Sequence, residues 1–182
     1  MRRSLDFIYN TAGALAAFFI VAIVALVFAQ VCLNLADKVS AAITGQAIGL
    51  TIPSYSDFTG FFLAAATFLA LAYCLRAGGH IRVTLLLGQL PKRAQRGFEM
   101  LVTAIALAMT GYATWYMGLL VAESLEYGDR SSGMVSIPIW IPQLPVALGL
   151  GILTLALIDE LVSLARGAPA SWDGKGENLL SE

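Results

Sequence analysis

The sequence predicts an all-α integral membrane protein with four transmembrane helices, and three features carry that prediction. First, 58% of the 182 residues are hydrophobic and only 13% are charged, against about 25% charged in a typical soluble domain. Second, long uncharged runs separate the charges. Third, the basic residues fall on one side of the membrane that those runs would cross. A net charge of -1 also excludes a nucleic-acid binder, because there is no basic surface for phosphate.

Four uncharged runs are long enough to span a bilayer, which takes about 17–25 helical residues. They hold 30, 18, 23 and 28 residues and lie between Asp6 and Asp37, Asp57 and Arg76, Glu99 and Glu123, and Arg130 and Asp159. A charge at the bilayer centre costs at least about 2.5–3.5 kcal/mol, so charges mark where the chain leaves the membrane. We therefore predict spans at about residues 9–36, 57–76, 98–123 and 138–160.

A fifth uncharged run, Val39 to Ser56, is predicted not to span. Only nine of its 18 residues are apolar, and it contains Gly45, Gly49 and Pro53. This composition is typical of a loop or of a helix lying in the membrane interface, and the sequence leaves both open.

The basic residues predict that both termini are cytoplasmic. With four spans and a cytoplasmic start, nine of the 11 basic residues lie inside, as the positive-inside rule requires. These nine are Arg2, Arg3, Arg76, Arg82, Lys92, Arg93, Arg96, Arg166 and Lys175. The first uncharged run is also about twice the length of a signal-peptide core, which favours a retained anchor over a cleaved signal peptide.

The segments around the third helix contain helix-ending and helix-starting residues. The Gly78-Gly79 pair should end the second helix. The short apolar stretch from Val83 to Leu90 lies among basic residues, which predicts an interfacial segment between helices 2 and 3. Pro91 suits the start of a third helix that runs from Lys92 to about Tyr127. Such a helix would be about 50 Å long and must tilt or project from the bilayer.

The fourth span is predicted to begin in a proline-rich segment and to end before the C-terminal tail. Pro138, Pro142 and Pro145 suit the start of a helix, and Trp140 suits the headgroup level. Gly167 should end the helix. We expect residues 1–167 to form one four-helix membrane domain, followed by a flexible cytoplasmic tail over residues 168–182.

Residues for catalysis or cofactor binding are scarce. With a single histidine, the chain alone cannot supply two histidine ligands to a haem or a metal. It has no glycine-rich phosphate loop and no cysteine pair at metal-binding spacing. The four runs also contain no ionisable residue, whereas a self-sufficient secondary transporter usually needs one. We therefore predict no enzyme activity, no cofactor and no metal.

The spans do contain small and hydroxyl residues at helical spacing, which allow helices to approach closely. These are Gly13 with Ala17, Ala104 with Ala108, Gly111 with Gly118, Ala147 with Gly151, and the threonines 103, 110 and 154. Gln30 and Asn34 are candidates for hydrogen bonds between helices. The rows could pack this chain internally or contact another membrane chain, and the sequence favours neither.

Three segments together resemble the small membrane subunit, DctQ-like, of tripartite ATP-independent periplasmic (TRAP) transporters. They are the string Gly78-Gly79-His80-Ile81-Arg82-Val83, the Leu90-Pro91 opening of the third helix, and the Ile137-Pro138-Ile139-Trp140-Ile141-Pro142 entry to the fourth. The resemblance extends over nearly the whole chain. One departure is Thr84, where the family often has an acidic residue.

The resemblance implies an accessory role in the bacterial inner membrane. In this family a large permease subunit of about a dozen spans holds the substrate and sodium sites in a moving, elevator-like domain. A periplasmic binding protein delivers an organic anion such as a carboxylate. The small subunit is similar to a fixed brace for the permease, and the identity of the substrate is not carried by it. The stoichiometry and the helix faces that meet the permease stay open.

Two groups of residues are candidate contact sites. On the cytoplasmic side, Arg76, His80, Arg82, Lys92, Arg93 and Arg96 would bind anionic lipids or partner loops, although they could serve only as topology signals. On the outer side, Glu123, Glu126, Arg130 and Trp140 would face the permease or the binding protein, although they could simply form a solvated helix end. The spacing of Glu126 and Arg130 predicts a helical ion pair.

Two other classes of function remain open on the sequence. One is a four-helix subunit of another membrane complex, of a redox or enzymatic kind, which would take its cofactor ligands from partners. The other is an independent small channel or exporter, which would conduct when reconstituted alone.

Overall fold

The computed structural model describes residues 2–78 and 91–167, which form four long helices. They are α1 (Arg2–Thr44), α2 (Tyr55–Ala77), α3 (Lys92–Tyr127) and α4 (Trp140–Ala165). Each is long and apolar enough to cross a membrane, which confirms the all-helical, four-span prediction. The predicted interfacial segment between helices 2 and 3 and the predicted tail lie outside the described residues. The orientation and the single-domain division stay predictions.

Helix α1 is longer than the predicted first span. Its 43 residues correspond to about 64 Å, roughly twice the thickness of the hydrocarbon core. The helix continues through Asp37 to Thr44, and residues 45–54 then form a loop. The segment from Val39 to Ser56 is therefore neither a separate interfacial helix nor a loop throughout. Helix α1 thus extends about 12 Å beyond Ala36, the last residue of the first uncharged run.

Glycines end α2 and α3 where the sequence predicts a stop. Gly78 follows α2 with φ of 74°, and its N–H donates to the carbonyls of Cys74 and Leu75. Gly128 follows α3 with φ of 67°, and its N–H donates to the Ser124 carbonyl. Left-handed glycines of this kind satisfy carbonyls that the helix leaves unpaired. The predicted range of the third helix, Lys92 to Tyr127, is confirmed.

Helix α4 begins two residues later than predicted and ends later as well. Pro138 precedes it, Pro142 lies in its first turn, and Pro145 lies inside it. The expectation that all three prolines stand at the helix start is therefore wrong for Pro145. That ring removes one hydrogen bond to the preceding turn, which is tolerable near the N-terminus.

The four helices form an open layer in the order α1, α2, α4, α3. Helix α2 packs against α1 on one side and α4 on the other, and α3 packs against α4. Helix α1 meets α4 only slightly. The buried residues of α4 repeat every three or four positions, as in a packed helical seam: Gly149, Leu150, Leu153, Ala156, Leu157, Glu160 and Leu164. Such a layer leaves broad apolar faces outside the packing.

The backbones of α2 and α4 approach each other closely at Gly149. A Cβ atom built on Gly149 would lie 2.5 Å from the carbonyl carbon of Phe68 and 2.8 Å from the Leu69 nitrogen. Only glycine allows this approach, because a backbone cannot yield as a flexible side chain can. At Gly13, by contrast, the nearest atoms belong to the Tyr73 ring.

Hydroxyl groups join α3 to α4. The Oγ1 atoms of Thr114 and Thr154 lie 2.9 Å apart, and one hydroxyl donates to the other. The hydroxyl that accepts this bond donates its own proton to a carbonyl of its own helix. Thr103 is buried in α3. Thr154 was a sequence candidate for helix contact, whereas its partner Thr114 was not. The pair fixes the register of α3 on α4 with a bond worth about 0.6 kcal/mol in comparable membrane proteins.

Candidate partner and lipid surfaces

Arg76 joins the ends of three helices. Its guanidinium lies 2.5 Å from the Asp6 carboxylate of α1 and 3.2 Å from the Asp159 carboxylate of α4. It also lies over the Tyr9 ring, 5.4 Å from the ring centre. Planar guanidinium groups suit such double pairing with carboxylates. We call this part of the molecule the Arg76 end.

Arg96 joins the remaining helix at the same end. Its Nε and Nη2 atoms donate to the Leu164 carbonyl near the end of α4, with Nε at 3.1 Å. This carbonyl is one of those that a helix end leaves without an intrahelical partner. The side chain therefore caps α4 from α3, and the charge lies favourably at a helix C-terminus.

The structure describes the side chains of only two of the six basic residues predicted to meet lipids or partner loops. Arg76 and Arg96 both bond to the chain itself, as described above. His80 and Arg82 lie outside the described residues, as do the side chains of Lys92 and Arg93. Contact of these six residues with lipid or partners stays a prediction. Arg76 and Arg96 would have to make such contacts while keeping their hydrogen bonds within the chain.

The loops at the opposite end of the molecule, the loop end, are tied to each other. The Ser54 hydroxyl accepts a hydrogen bond from the Val135 N–H at 2.9 Å. Ser54 has a left-handed backbone with φ of 56°, an uncommon conformation for a residue other than glycine. Its carbonyl accepts the Asp57 and Phe58 N–H groups at the start of α2. One residue thus starts α2 and holds the loop before α4 against it.

Gln30 fastens the first loop back onto α1. This side chain is 4% exposed. Its amide nitrogen donates to Asn34 Oδ1 at 3.0 Å and to Thr51 Oγ1 at 2.9 Å, and its oxygen accepts the Ile52 N–H at 2.8 Å. The predicted hydrogen bonds between helices are therefore wrong, because the partners are a neighbour on α1 and the loop that follows it.

The predicted outer contact residues all lie at the loop end. Glu123 and Glu126 are exposed on the last turns of α3, Arg130 is exposed just beyond it, and Trp140 is half-buried at the start of α4. Arg130 lies in an extended segment that bridges to Pro138. The predicted helical ion pair of Glu126 with Arg130 is wrong, because α3 ends before Arg130 and its backbone turns away at Gly128.

A row of small residues follows one exposed face of α3, with Trp115 in its middle. Residues three, four or seven positions apart share a helix face, which places Ala104, Ala108, Gly111, Trp115 and Gly118 in one line. Trp115 is 68% exposed. A Cβ atom built on Gly111 or Gly118 would meet nothing within 4 Å. At its two glycines, this row therefore packs against nothing within the described chain.

No set of three potential metal-ligating side chains (His, Cys, Asp or Glu) is assembled within residues 2–78 and 91–167. The residues that the structure adds to the sequence candidates are structural: Thr114, Ser54 and Gly149. A serine before a helix is a sequence signal for a helix cap, and Ser54 has that signal. No sequence signal indicates its hydrogen bond to Val135 in a distant loop.

A comparison with protein-family models identifies a family for this chain. Residues 39–167 match the model described as tripartite ATP-independent periplasmic transporters, DctQ component. The matched stretch covers well over half of the chain and includes α2, α3 and α4. A search of curated proteins found no match. With its four apolar helices, the chain is a multi-pass membrane protein. It belongs to the DctQ component family of TRAP transporters, and so is the small subunit of a transporter and not an enzyme.

Proposed function

We propose that this chain is a fixed brace for a large sodium-coupled elevator permease in the bacterial inner membrane. The permease would import organic anions, such as carboxylates, that a periplasmic binding protein delivers. The observation that carries the proposal is the exposed row on α3 from Ala104 to Gly118. Small residues on both sides of the exposed Trp115 ring leave hollows that a partner helix could fill, whereas lipid chains need no such surface.

Two features of the helix layer support a stationary role. The ends of α1, α2 and α4 are joined through Arg76, and α3 is joined to α4 by Arg96 and by the Thr114–Thr154 pair. A layer fastened in this way would move as one body. Its open faces would enlarge the immobile part of the permease against which the carrier domain slides.

Replacing Gly118 with leucine should weaken assembly with the permease. A leucine side chain would fill the row and hold a partner helix away, whereas its Cβ atom would meet no atom of the described residues within 4 Å. We expect about tenfold less permease to co-purify with the variant, equivalent to about 1.4 kcal/mol. Quantitative pull-down of the co-expressed subunits measures this ratio.

Gly60→Leu is the matched control, because Gly60 is an exposed helical glycine with equally open surroundings on α2. It should retain normal co-purification. Equal recovery of permease with Gly118→Leu and with the unaltered chain would show that the row faces lipid, and would remove the observation on which the proposal rests.

Reversing the charge of both Glu123 and Glu126 should lower uptake without lowering the amount of assembled complex. Both side chains are exposed at the loop end, where a docked binding protein would lie. Opposed surface charges steer association, so the loss should shrink at high salt. We expect at least a fivefold fall in the rate of uptake in proteoliposomes at low salt, of the size charge steering can supply.

Glu99→Lys reverses a charge near the other end of α3 and should leave uptake unchanged. Unaltered uptake by the Glu123 and Glu126 double variant would contradict docking at this surface. It would leave the bracing role, which rests on the α3 row, intact.

A further inference from the structure

The last part of α1 and the loop that follows it form an arm, residues 31–52, at the loop end. The loop returns along one side of the helix. The Asp37 carboxylate accepts the Gly49 N–H at 2.7 Å in the middle of the arm, and the Gln30 side chain accepts the Ile52 N–H at 2.8 Å at its base. The arm is therefore an ordered part of the fold, tied along its length.

The arm begins where α1 has already crossed the hydrocarbon core. Asp6 pairs with Arg76 at one end of the α1–α2 pair, and Gln30 bonds to Ile52 at the other. Between these two ties α1 advances 24 residues, or about 36 Å, whereas the core is about 30 Å thick. A tilt of about 20°, the mean for membrane helices, shortens this distance only to about 34 Å. The helical part of the arm, residues 31–44, therefore projects about 21 Å beyond the core.

An unbroken apolar line follows the exposed side of α1 from the span onto the arm. Its members recur every three or four residues and so share one side of the helix. They are between 49% and 79% exposed: Val24, Phe28, Val31, Leu35, Val39 and Ile43. Asp37, which bonds to the returning loop, lies on the opposite side. We call this line the α1 stripe.

Lipid can cover only the first part of the α1 stripe. The headgroup region adds about 5–8 Å to each side of the core. Val39 and Ile43 lie about 14 and 20 Å beyond Gln30 along the helix, past this region. The segments that the structure does not describe, 79–90 and 168–182, join the chain at the Arg76 end, across the core from the arm. An exposed apolar surface in this position is typical of contact with another protein.

The partner that fits the α1 stripe is itself a membrane protein. To cover the whole stripe, one partner must follow it from the hydrocarbon core to about 20 Å outside, which requires a protein embedded in the same membrane. The arm carries only two charges, Asp37 and Lys38, and neither belongs to the stripe. Permanent interfaces are more apolar than transient ones. The α1 stripe therefore suits the permease better than a binding protein that docks and leaves.

We propose that the arm packs the α1 stripe against a part of the permease that projects from the membrane. The identity of this partner rests on the proposed function, but the surface is separate from the α3 row. Helices α1 and α3 are the two edges of the helix layer, which is about 30 Å across at 8–10 Å between neighbouring axes. A permease of about a dozen spans is wide enough to meet both edges. The arm fixes the orientation of the brace outside the membrane.

Photo-crosslinking in the full complex identifies what covers the α1 stripe. A photoreactive benzoylphenylalanine takes the place of Ile43 in the stripe. The matched control takes the place of Ile48, an exposed isoleucine on the returning loop. Irradiation of membranes that contain the permease and the binding protein should join position 43, and not position 48, to the permease. Mass spectrometry of the product names the partner.

Combining Val39→Gln with Ile43→Gln should lower the amount of permease that co-purifies by about tenfold, since two amides would enter an apolar interface. Ala47→Gln with Ile48→Gln makes the equivalent change on the returning loop and should leave recovery of the permease normal. All four side chains are exposed, so neither double variant should change the melting temperature of the purified chain. A loss of permease at an unchanged melting temperature then reports the interface and not misfolding.

Several results would overturn the proposal. Crosslinks from position 43 to the binding protein, to a second copy of this chain or only to lipid would assign the stripe to that occupant. Normal recovery of permease by the Val39 and Ile43 double variant would show that the arm does not contribute to assembly. Neither result affects the α3 row, which Gly118→Leu tests separately. If the unaltered chain recovers no permease at all, the proposed function fails together with this inference.

Discussion

Replacing Gly149 with alanine should lower the melting temperature of the purified chain by about 3–10 °C. The new Cβ atom would lie 2.5 Å from the Phe68 backbone, whereas ordinary contacts begin at 3.4 Å. Helices α2 and α4 must therefore separate by about 1 Å along the seam. Overpacking of this kind costs about 1–3 kcal/mol, which converts to that temperature range for a chain of this size.

Gly151→Ala provides the comparison, because it makes the same change two residues away on the same helix. A Cβ atom there would meet only the Thr114 methyl group at 3.9 Å, an ordinary contact. Its melting temperature should differ from that of the unaltered chain by no more than about 1 °C, since no atom must move and alanine favours the helix. Equal effects of the two variants would show that helix propensity, not the close approach, decides the outcome.

The helix boundaries were largely predictable from the sequence because charge and glycine act locally. A charge cannot remain in the hydrocarbon core, and a glycine can take the left-handed conformation that ends a helix. Gly78 illustrates the second rule, and Gly128 follows it as well, since α3 ends at Tyr127, where the third helix is predicted to stop. The extension of α1 to Thr44 was missed because a helix outside the bilayer needs no apolar residues.

The contacts between helices were harder to predict because several small residues compete for each close approach. Ala147, Gly149 and Gly151 lie within about one turn of α4, and helical spacing in the sequence favours Ala147 with Gly151 over Gly149. Which of these residues makes the close approach depends on the rotation of α4 relative to α2. All the packed residues between the two helices determine that rotation together. For Arg76 the sequence likewise predicts contact with lipids or partner loops. Its pairing within the chain could not be predicted, because its two carboxylate partners are 70 and 83 residues away in sequence.

Replacing Arg76 with methionine, at the Arg76 end of the layer, should lower the stability of the chain about as much as Gly149→Ala does. Methionine retains much of the side-chain length but leaves Asp6 and Asp159 without their shared cation. Breaking a fully buried pair in this way costs about 3–5 kcal/mol. The side chains of Arg76 and Asp159 are 19% and 22% exposed, so solvent reduces the cost to about 2 kcal/mol. We expect a fall of about 4–8 °C in melting temperature.

A second substitution distinguishes loss of the cation from loss of packing. Adding Asp159→Asn to the Arg76→Met chain removes one of the stranded carboxylates, so the double variant should recover part of the lost stability. Arg96→Met measures how much stability is lost when an arginine that bonds to one backbone carbonyl is removed. It should lower the melting temperature less than Arg76→Met does. If the double variant is no more stable than Arg76→Met alone, the carboxylates do not depend on Arg76. The ends of α1, α2 and α4 would then be held by packing, and the rigidity on which a bracing subunit depends would have to come from the apolar seam.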